Sequence, residues 1–196
     1  MIFERVVVAS KNPDKISEVE EVLGRLGIVE EIVRGLEWPD VDETEPTLEG
    51  NALLKARAVA AVTGLAAVAD DTGLEVDALG GAPGVISARY AGPSATYQDN
   101  VVKLLTELEG VAHRSARFRT VIAVVSPDGR EWTAEGSVEG TITTEPRGPY
   151  GFGYDPVFEV DGRTLGEMTK SEKSAISHRA KALQAIAEVL SHGRSR

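Results

Sequence analysis

The sequence of 196 residues contains no cysteine. Disulfide bridges, thiolate nucleophiles, iron–sulfur clusters and cysteine-ligated zinc are therefore excluded. A long apolar run is also missing, because the longest uncharged stretch, residues 58–69, is well short of the roughly 20 apolar residues that cross a bilayer. We expect a cytoplasmic protein with no membrane span and no secretory signal.

Positive charge is scarce, since 21 basic residues stand against 31 acidic ones and the formal net charge is −10. Long-range attraction to nucleic acid or to an anionic membrane is therefore disfavoured, and we expect neither as a partner. A small phosphorylated ligand needs only a local basic cluster. The chain also lacks a Gly-Lys pair and an H-E-x-x-H motif, which excludes a Walker A phosphate loop and argues against a zinc protease.

What is present is an ordinary globular composition, with 42% hydrophobic and 27% charged residues. A chain of this length buries roughly 70% of the surface that its unfolded form exposes, so we expect residues 1–196 to form a single domain. Helices are predicted over residues 51–62 and from about Thr96 to Leu108, and two runs, 118–125 and 131–138, indicate antiparallel strands. Together with the strands between the helices, this pattern predicts an α/β fold.

A predicted strand over residues 5–9 leads into a polar turn and an amphipathic helix. Asn12 is a good N-cap and Pro13 suits the first helical position, so we expect free backbone N–H groups to point back toward the end of the strand. Such a terminus attracts anions, and Lys15 beside it would repel the positive end unless an anion, such as a triphosphate, or solvent offset the charge. The alternative is a well-capped turn that binds nothing.

Two adjacent acids, Asp70 and Asp71, follow a hydrophobic run over residues 65–69. We expect their side chains to emerge at the carboxyl end of that strand, where open α/β sheets bind ligands. One interpretation is a solvated turn. The other is a hard-cation site for Mg²⁺, which Glu43, or Asp42 beside it, could complete.

A second glycine-rich segment contains Gly151, Phe152, Gly153, Tyr154 and Asp155. The glycines allow close backbone approach, and the aromatic and acidic side chains could stack on and hydrogen-bond to a heterocycle. The alternative is a turn with packed aromatic side chains. It is not a dinucleotide-binding fingerprint, because a proline stands in place of the third glycine.

The chain closes with a predicted helix whose apolar residues share one face. These are Ile176, Ala180, Leu183, Ile186, Ala187 and Leu190. Thr169 and Glu172 have capping-box spacing, with Ser171 as an alternative cap. Lys173, His178 and Arg179 cluster near the start of this helix, either as an ordinary charged face or as contacts for one ligand.

Taken in order, these segments resemble the inosine/xanthosine triphosphate pyrophosphatase family over nearly the whole chain. The segments that carry the resemblance are residues 10–15, 69–74, 79–84, 87–90, 151–156 and 173–179. The resemblance implies an elongated mixed β-sheet flanked by helices, in two lobes with a central nucleotide-binding cleft, and a homodimer. It also implies hydrolysis of the non-standard purine nucleotides ITP, dITP and XTP to the monophosphate and pyrophosphate, which cleanses the nucleotide pool.

The resemblance also implies roles for individual residues. Asp71 becomes the proton acceptor, with Lys15 and Asp70 as further catalytic groups, and Glu43 and Asp71 become the Mg²⁺ ligands. The residues assigned to substrate binding are Ser10, Lys11, Asn12, Pro13, Asp14, Lys15, Lys55, Thr72, Phe152, Gly153, Tyr154, Asp155, Lys173, His178 and Arg179. The chain departs from the family pattern at Lys11, where glycine is common, at Thr72, where serine is usual, and at Gly50, where an acid is common.

Chemically, water would attack the α-phosphorus while Asp71 takes its proton, and no covalent intermediate is needed. Selectivity would come from the 6-oxo group of the base, read by Arg179 or by backbone N–H groups. Two alternatives are a related pyrophosphatase that acts on modified pyrimidine nucleotides and a nucleotide-binding protein without catalytic activity.

Overall fold

The computed structural model describes residues 3–192, in which strands and helices alternate through the first half of the chain. The strands are β1 (Phe3–Val8), β2 (Val29–Val33), β3 (Ala66–Val76), β4 (Pro83–Gly84), β5 (Ser115–Val125), β6 (Glu131–Ile142), β7 (Phe158–Val160) and β8 (Arg163–Thr164). The α-helices are α1 (Pro13–Leu26), α2 (Leu48–Thr63), α3 (Tyr97–Glu107), α4 (Lys170–Ile176) and α5 (His178–His192). Within residues 3–192, we find no helix of the length and apolar character that crossing a membrane requires.

These strands join one mixed sheet in the order β2-β1-β3-β5-β6-β7-β8, with β4 paired to β3. Strand β1 runs parallel to both β2 and β3, whereas β7 runs antiparallel to β6 and β8. Parallel neighbours need a crossover, and α1 and α2 supply the two crossovers around β1. The predicted mixed sheet with flanking helices is confirmed.

The chain divides into two compact units. Among the described residues, the first unit contains 3–71, Thr120–Gly136 and 178–192, and the second contains Thr72–Arg119 and Ser137–Ser177. Each of β3, β5 and β6 contributes residues to both units. That residues 1–196 act as a single domain stays a prediction, and residues 1–2 and 193–196 lie outside the described part of the chain.

In the first unit, α1 and α5 pack together and bury their apolar faces. Leu23 on α1 and Leu183 and Ile186 on α5 are buried in one cluster with β-strand residues such as Val6 and Ile122. Full burial of each such side chain stabilises the fold by about 1.5–3 kcal/mol. The predicted apolar face of the last helix is confirmed for the part that lies in α5.

The second unit has a separate hydrophobic core, which contains Leu104 of α3 and the strand residues Phe118 and Phe158. The rings of Phe118 and Phe158 lie 4.7 Å apart between centroids. Helix α3 begins with a capping box, in which Thr96 and Asp99 satisfy each other's backbone N–H groups. The helix predicted from about Thr96 to Leu108 is therefore confirmed, with its cap at Thr96.

The single closing helix predicted from the sequence is wrong, because the chain breaks at Ser177. Ser177 has an extended backbone, with φ −66° and ψ 143°, between α4 and α5. The break places Lys173 in the second unit and Arg179 in the first, and each is buried against acids of its own unit. At the start of α4, Thr169 rather than Ser171 is the cap.

The prediction that Asp70 and Asp71 follow the end of a strand is also wrong. Strand β3 continues through both acids to Val76, and its later half pairs with β4. This pairing requires glycine at position 73, because a Cβ there would lie 2.7 Å from the backbone oxygen of Gly84. The two acids are thus held in regular, buried strand rather than in a solvated turn.

Candidate functional site

The polar turn before α1 is tightly hydrogen-bonded. Asn12 Oδ1 accepts the N–H groups of Asp14 at 2.9 Å and Lys15 at 3.3 Å, and its carbonyl oxygen accepts the N–H of Ile16. Pro13 has no N–H to donate, and the other N–H groups of the first turn all donate to Asn12. The expectation of free N–H groups is therefore wrong. The predicted cap itself is confirmed, and an anion here would depend on side chains and on the helix dipole.

Asp70 is the centre of a buried charge network in the first unit. Its Oδ2 atom lies 3.3 Å from the Lys15 ammonium and 3.2 Å from Nε of Arg179. Arg179 is buried and also forms an ion pair with Glu18 on α1. Burial by itself raises the pKa of Asp70, but Lys15 and Arg179 outweigh it and hold the pKa far below its ordinary value. Asp70 therefore stays ionised and holds cations rather than accepting protons.

Asp71 lies in a different electrostatic environment. Its Oδ1 atom is 3.2 Å from the Lys55 ammonium, which is also 2.6 Å from Glu43. Its Oδ2 atom is buried without a hydrogen-bond partner. Burial raises the pKa of Asp71, and Lys55 offsets this effect only in part. Of the two adjacent acids, Asp71 is the one suited to take up a proton.

The Lys55 ammonium forms ion pairs with both Asp71 and Glu43. Burial lowers the pKa of Lys55, but Asp71, Asp70 and Glu43 together outweigh burial and raise it. The lysine is therefore charged, and it holds the two predicted metal ligands near each other. Asp42, the alternative ligand, is exposed, whereas Glu43 is half-buried and turned toward Lys55.

The predicted donor set for a magnesium ion consists of the Asp71 and Glu43 carboxylates. Among residues 3–192 there is no group of three or more acidic or histidine side chains arranged to hold a metal. Mg²⁺ is commonly held by one or two carboxylates, with waters and substrate phosphates completing its shell. The unpartnered Oδ2 of Asp71, with Glu43 nearby, meets that requirement.

In the second unit, the segment around Phe152 forms a compact cluster with Lys173. The Lys173 ammonium lies 2.7 Å from Oδ2 of Asp155, and the same oxygen accepts the N–H of Phe152 at 2.8 Å. The ammonium also lies 4.3 Å from the centroid of the Phe152 ring. Lys173 is therefore a buried charge with an acidic and an aromatic partner, and the interpretation as an ordinary charged helix face is wrong.

The remaining predicted residues of this unit differ in their surroundings. Tyr154 is buried and donates its hydroxyl to the carbonyl oxygen of Ser87 at 2.8 Å, so it packs as a core aromatic. Thr72 and Gly153 are partly exposed. Tyr97, which the motif analysis did not single out, places its ring 6.0 Å from that of Phe152.

A cavity of about 530 Å³ lies beside the polar turn of the first unit. Ser10 and Lys11 line it together with apolar residues and Trp38, while the Lys11 ammonium contacts Asp40 at 2.5 Å. Lys15 and Asp71 are not among the residues that line it. Two of the residues assigned to substrate binding therefore line this cavity, and the nucleotide cleft stays a prediction.

Two further residues that shape the first unit had little or no signal in the sequence. Glu18 follows Lys15 by three positions, a spacing that places both on one side of α1. Gly136 on β6 lets α5 approach, since a Cβ there would collide with the backbone of His178 and Ala182. His178 itself is buried at the start of α5.

The fold and the two clusters define a mixed α/β protein with buried acid–lysine pairs in both units. The Ham1 family matches residues 6–189, and the chain belongs to the Ham1 family. This match confirms the resemblance found in the sequence.

Similar proteins cover nearly the whole chain. The dITP/XTP pyrophosphatase of Bacillus subtilis is 45% identical over 97% of this chain and 98% of its own length. That of Chlorobaculum tepidum is 50% identical over 93% and 91%. Among solved structures, a HAM1 protein from Coxiella burnetii is 43% identical with a TM-score of 0.86, over 96% of this chain and 99% of its own. A nucleoside-triphosphatase / dITP/XTP pyrophosphatase from Mycobacterium abscessus is also 43% identical, with a TM-score of 0.75 over 97% and 100%.

Proposed function

We propose that this protein hydrolyses the non-standard purine nucleoside triphosphates ITP, dITP and XTP to the monophosphate and pyrophosphate. The observation that carries this proposal is the near full-length similarity to proteins named dITP/XTP pyrophosphatase. The buried acid and lysine side chains of the first unit supply chemistry that such a reaction needs.

The proposed reaction is attack of water on the α-phosphorus. The water oxygen bonds to phosphorus, the bond from phosphorus to the bridging oxygen breaks, and pyrophosphate leaves. Asp71 takes the proton of the water, because burial raises its pKa and makes it the better proton acceptor of the two adjacent acids. Asp70 is a poor proton acceptor, since Lys15 and Arg179 outweigh burial and hold its pKa far below the ordinary value.

Charge neutralisation falls to Lys15, Lys55 and a divalent ion. Lys15 stands at the start of α1, where the helix dipole also favours an anion. Glu43 and Asp71 are the residues that would hold Mg²⁺, which when bound neutralises charge on the phosphoryl oxygens. Lys55, which contacts both carboxylates, would keep them oriented toward the same point.

The assignment of Phe152, Asp155 and Lys173, in the second unit, to substrate binding stays a prediction. An aromatic ring, a carboxylate and an ammonium can stack on a purine and bind its polar edge. The assignment of Arg179 to the 6-oxo group stays a prediction, and such a contact would compete with the ion pairs to Asp70 and Glu18. A homodimer and a cytoplasmic location likewise stay predictions.

A substrate panel tests the function directly. Purified protein with Mg²⁺ is offered ITP, dITP and XTP beside ATP, GTP and 5-methyl-UTP, and pyrophosphate and orthophosphate are measured separately. We expect pyrophosphate from the first three and little from the others. A preference for 5-methyl-UTP would indicate a pyrimidine pyrophosphatase, and binding without turnover would indicate a protein without catalytic activity. Either result would overturn the proposal.

A further inference from the structure

Glu18 completes the buried charge network around Asp70. It forms an ion pair with Nη1 of Arg179, whose Nε lies 3.2 Å from Asp70 Oδ2. The Lys15 ammonium lies 3.3 Å from that same oxygen. The contacts therefore run from α1 through α5 and β3 and return to α1, and all four residues belong to the first unit.

Of these four residues, Glu18 and Asp70 are acidic, and Lys15 and Arg179 are basic. The guanidinium of Arg179 is a rigid planar group, so one side chain can hold two carboxylates in a fixed relation. Side chains of Arg179 and Asp70 are only 2% and 1% exposed, and buried charges are stable only when every partner is in place. Without Glu18, Arg179 would attract Asp70 more strongly and weaken the hold of Asp70 on Lys15.

We propose that Glu18 is a positioning residue. Acting through Arg179, it fixes the Asp70 carboxylate, and Asp70 in turn holds the Lys15 ammonium where a polyphosphate binds. This inference rests on the proposed function for the role of Lys15 and adds to it a residue that makes no contact with the substrate. If this is so, loss of the Glu18 charge lowers kcat/KM only while Lys15 is present.

A double-mutant cycle tests this dependence on Lys15. Glu18→Gln keeps the size of the side chain and removes its charge, and Lys15→Met removes the ammonium. We expect Glu18→Gln to lower kcat/KM for ITP by about 10- to 100-fold in the presence of Lys15, the range that a small displacement of an active-site group causes. In the Lys15→Met background we expect a further loss of less than about 2-fold, because nothing is left to position.

The matched control is Glu20→Gln on the same helix. Glu20 also forms an ion pair with an arginine, Arg34, but this pair lies outside the Asp70 network. We expect kcat/KM to change by less than about 2-fold in both backgrounds, since the partner Arg34 is 74% exposed and such pairs contribute little. Equal losses for Glu18→Gln with and without Lys15 would show a merely structural role and overturn the inference. If Glu18→Gln does not fold, Glu18→Asp takes its place in the same cycle.

Binding of inorganic pyrophosphate separates this inference from the proposed function. Calorimetry reads its dissociation constant in the same four proteins without any turnover. We expect Glu18→Gln to weaken binding by at least about 10-fold when Lys15 is present and by less than about 2-fold when it is absent. If the unsubstituted protein forms no pyrophosphate from any nucleotide, the proposed function fails. The inference then stands or fails on this binding cycle alone.

Discussion

Replacing Lys173 with methionine removes a charge that lies 2.7 Å from the Asp155 carboxylate. The side chains are 7% and 4% exposed, so the substitution leaves a buried carboxylate without its cation. Breaking a buried pair in this way costs about 3–5 kcal/mol. With a denaturant slope of about 2 kcal/mol per molar urea, the unfolding midpoint should fall by roughly 1.5–2.5 M.

Equilibrium urea unfolding followed by circular dichroism measures this loss. The double variant Lys173→Met/Asp155→Asn should lose less than Lys173→Met alone, because no uncompensated charge remains. Arg163→Met is the control, since Arg163 contacts Glu172 at 3.0 Å in an exposed pair of the same unit, and it should cost less than about 1 kcal/mol. If Lys173→Met costs no more than Arg163→Met, the reasoning from burial is refuted.

Three further outcomes follow from the first unit. Asp71→Asn should lower kcat for ITP by roughly 10²- to 10⁴-fold with an unchanged circular dichroism spectrum, because it removes the proton acceptor, and near-normal turnover would require another base. Since burial raises the pKa of Asp71, and the base must be deprotonated, kcat/KM should fall as the pH drops through an apparent pKa above the ordinary value of about 3.9. A limb at or below that value would contradict the assignment. Gly136→Ala should destabilise the fold by about 1–3 kcal/mol through contact with the α5 backbone, whereas Gly24→Ala, in open space on α1, should stabilise it by about 0.5–1 kcal/mol. Thermal unfolding compares the two, and equal shifts would count against the close approach of α5.

Local signals made parts of the fold predictable. Asn12 and Pro13 define the start of α1, and Thr96 with Asp99 defines that of α3, because a cap is a contact between residues two or three positions apart. The turn between β5 and β6 was likewise visible in its residue types, and Ser126 accepts the N–H of Gly129 there.

Long-range partners were not predictable in the same way. Lys173 lies 18 positions from Asp155, and Arg179 lies 109 positions from Asp70, so no local pattern indicated that these charges are buried in pairs. The resemblance to a family assigned roles to the site residues. Only the packing shows that the pKa of Asp70 is lowered whereas that of its neighbour Asp71 is raised.

The most direct test of the central claim is hydrolysis of ITP in water labelled with ¹⁸O. Mass spectrometry of the products shows which phosphorus the water attacked. Attack on the α-phosphorus predicts one labelled oxygen in inosine monophosphate and none in pyrophosphate. Label in pyrophosphate, or release of labelled orthophosphate, would contradict the account.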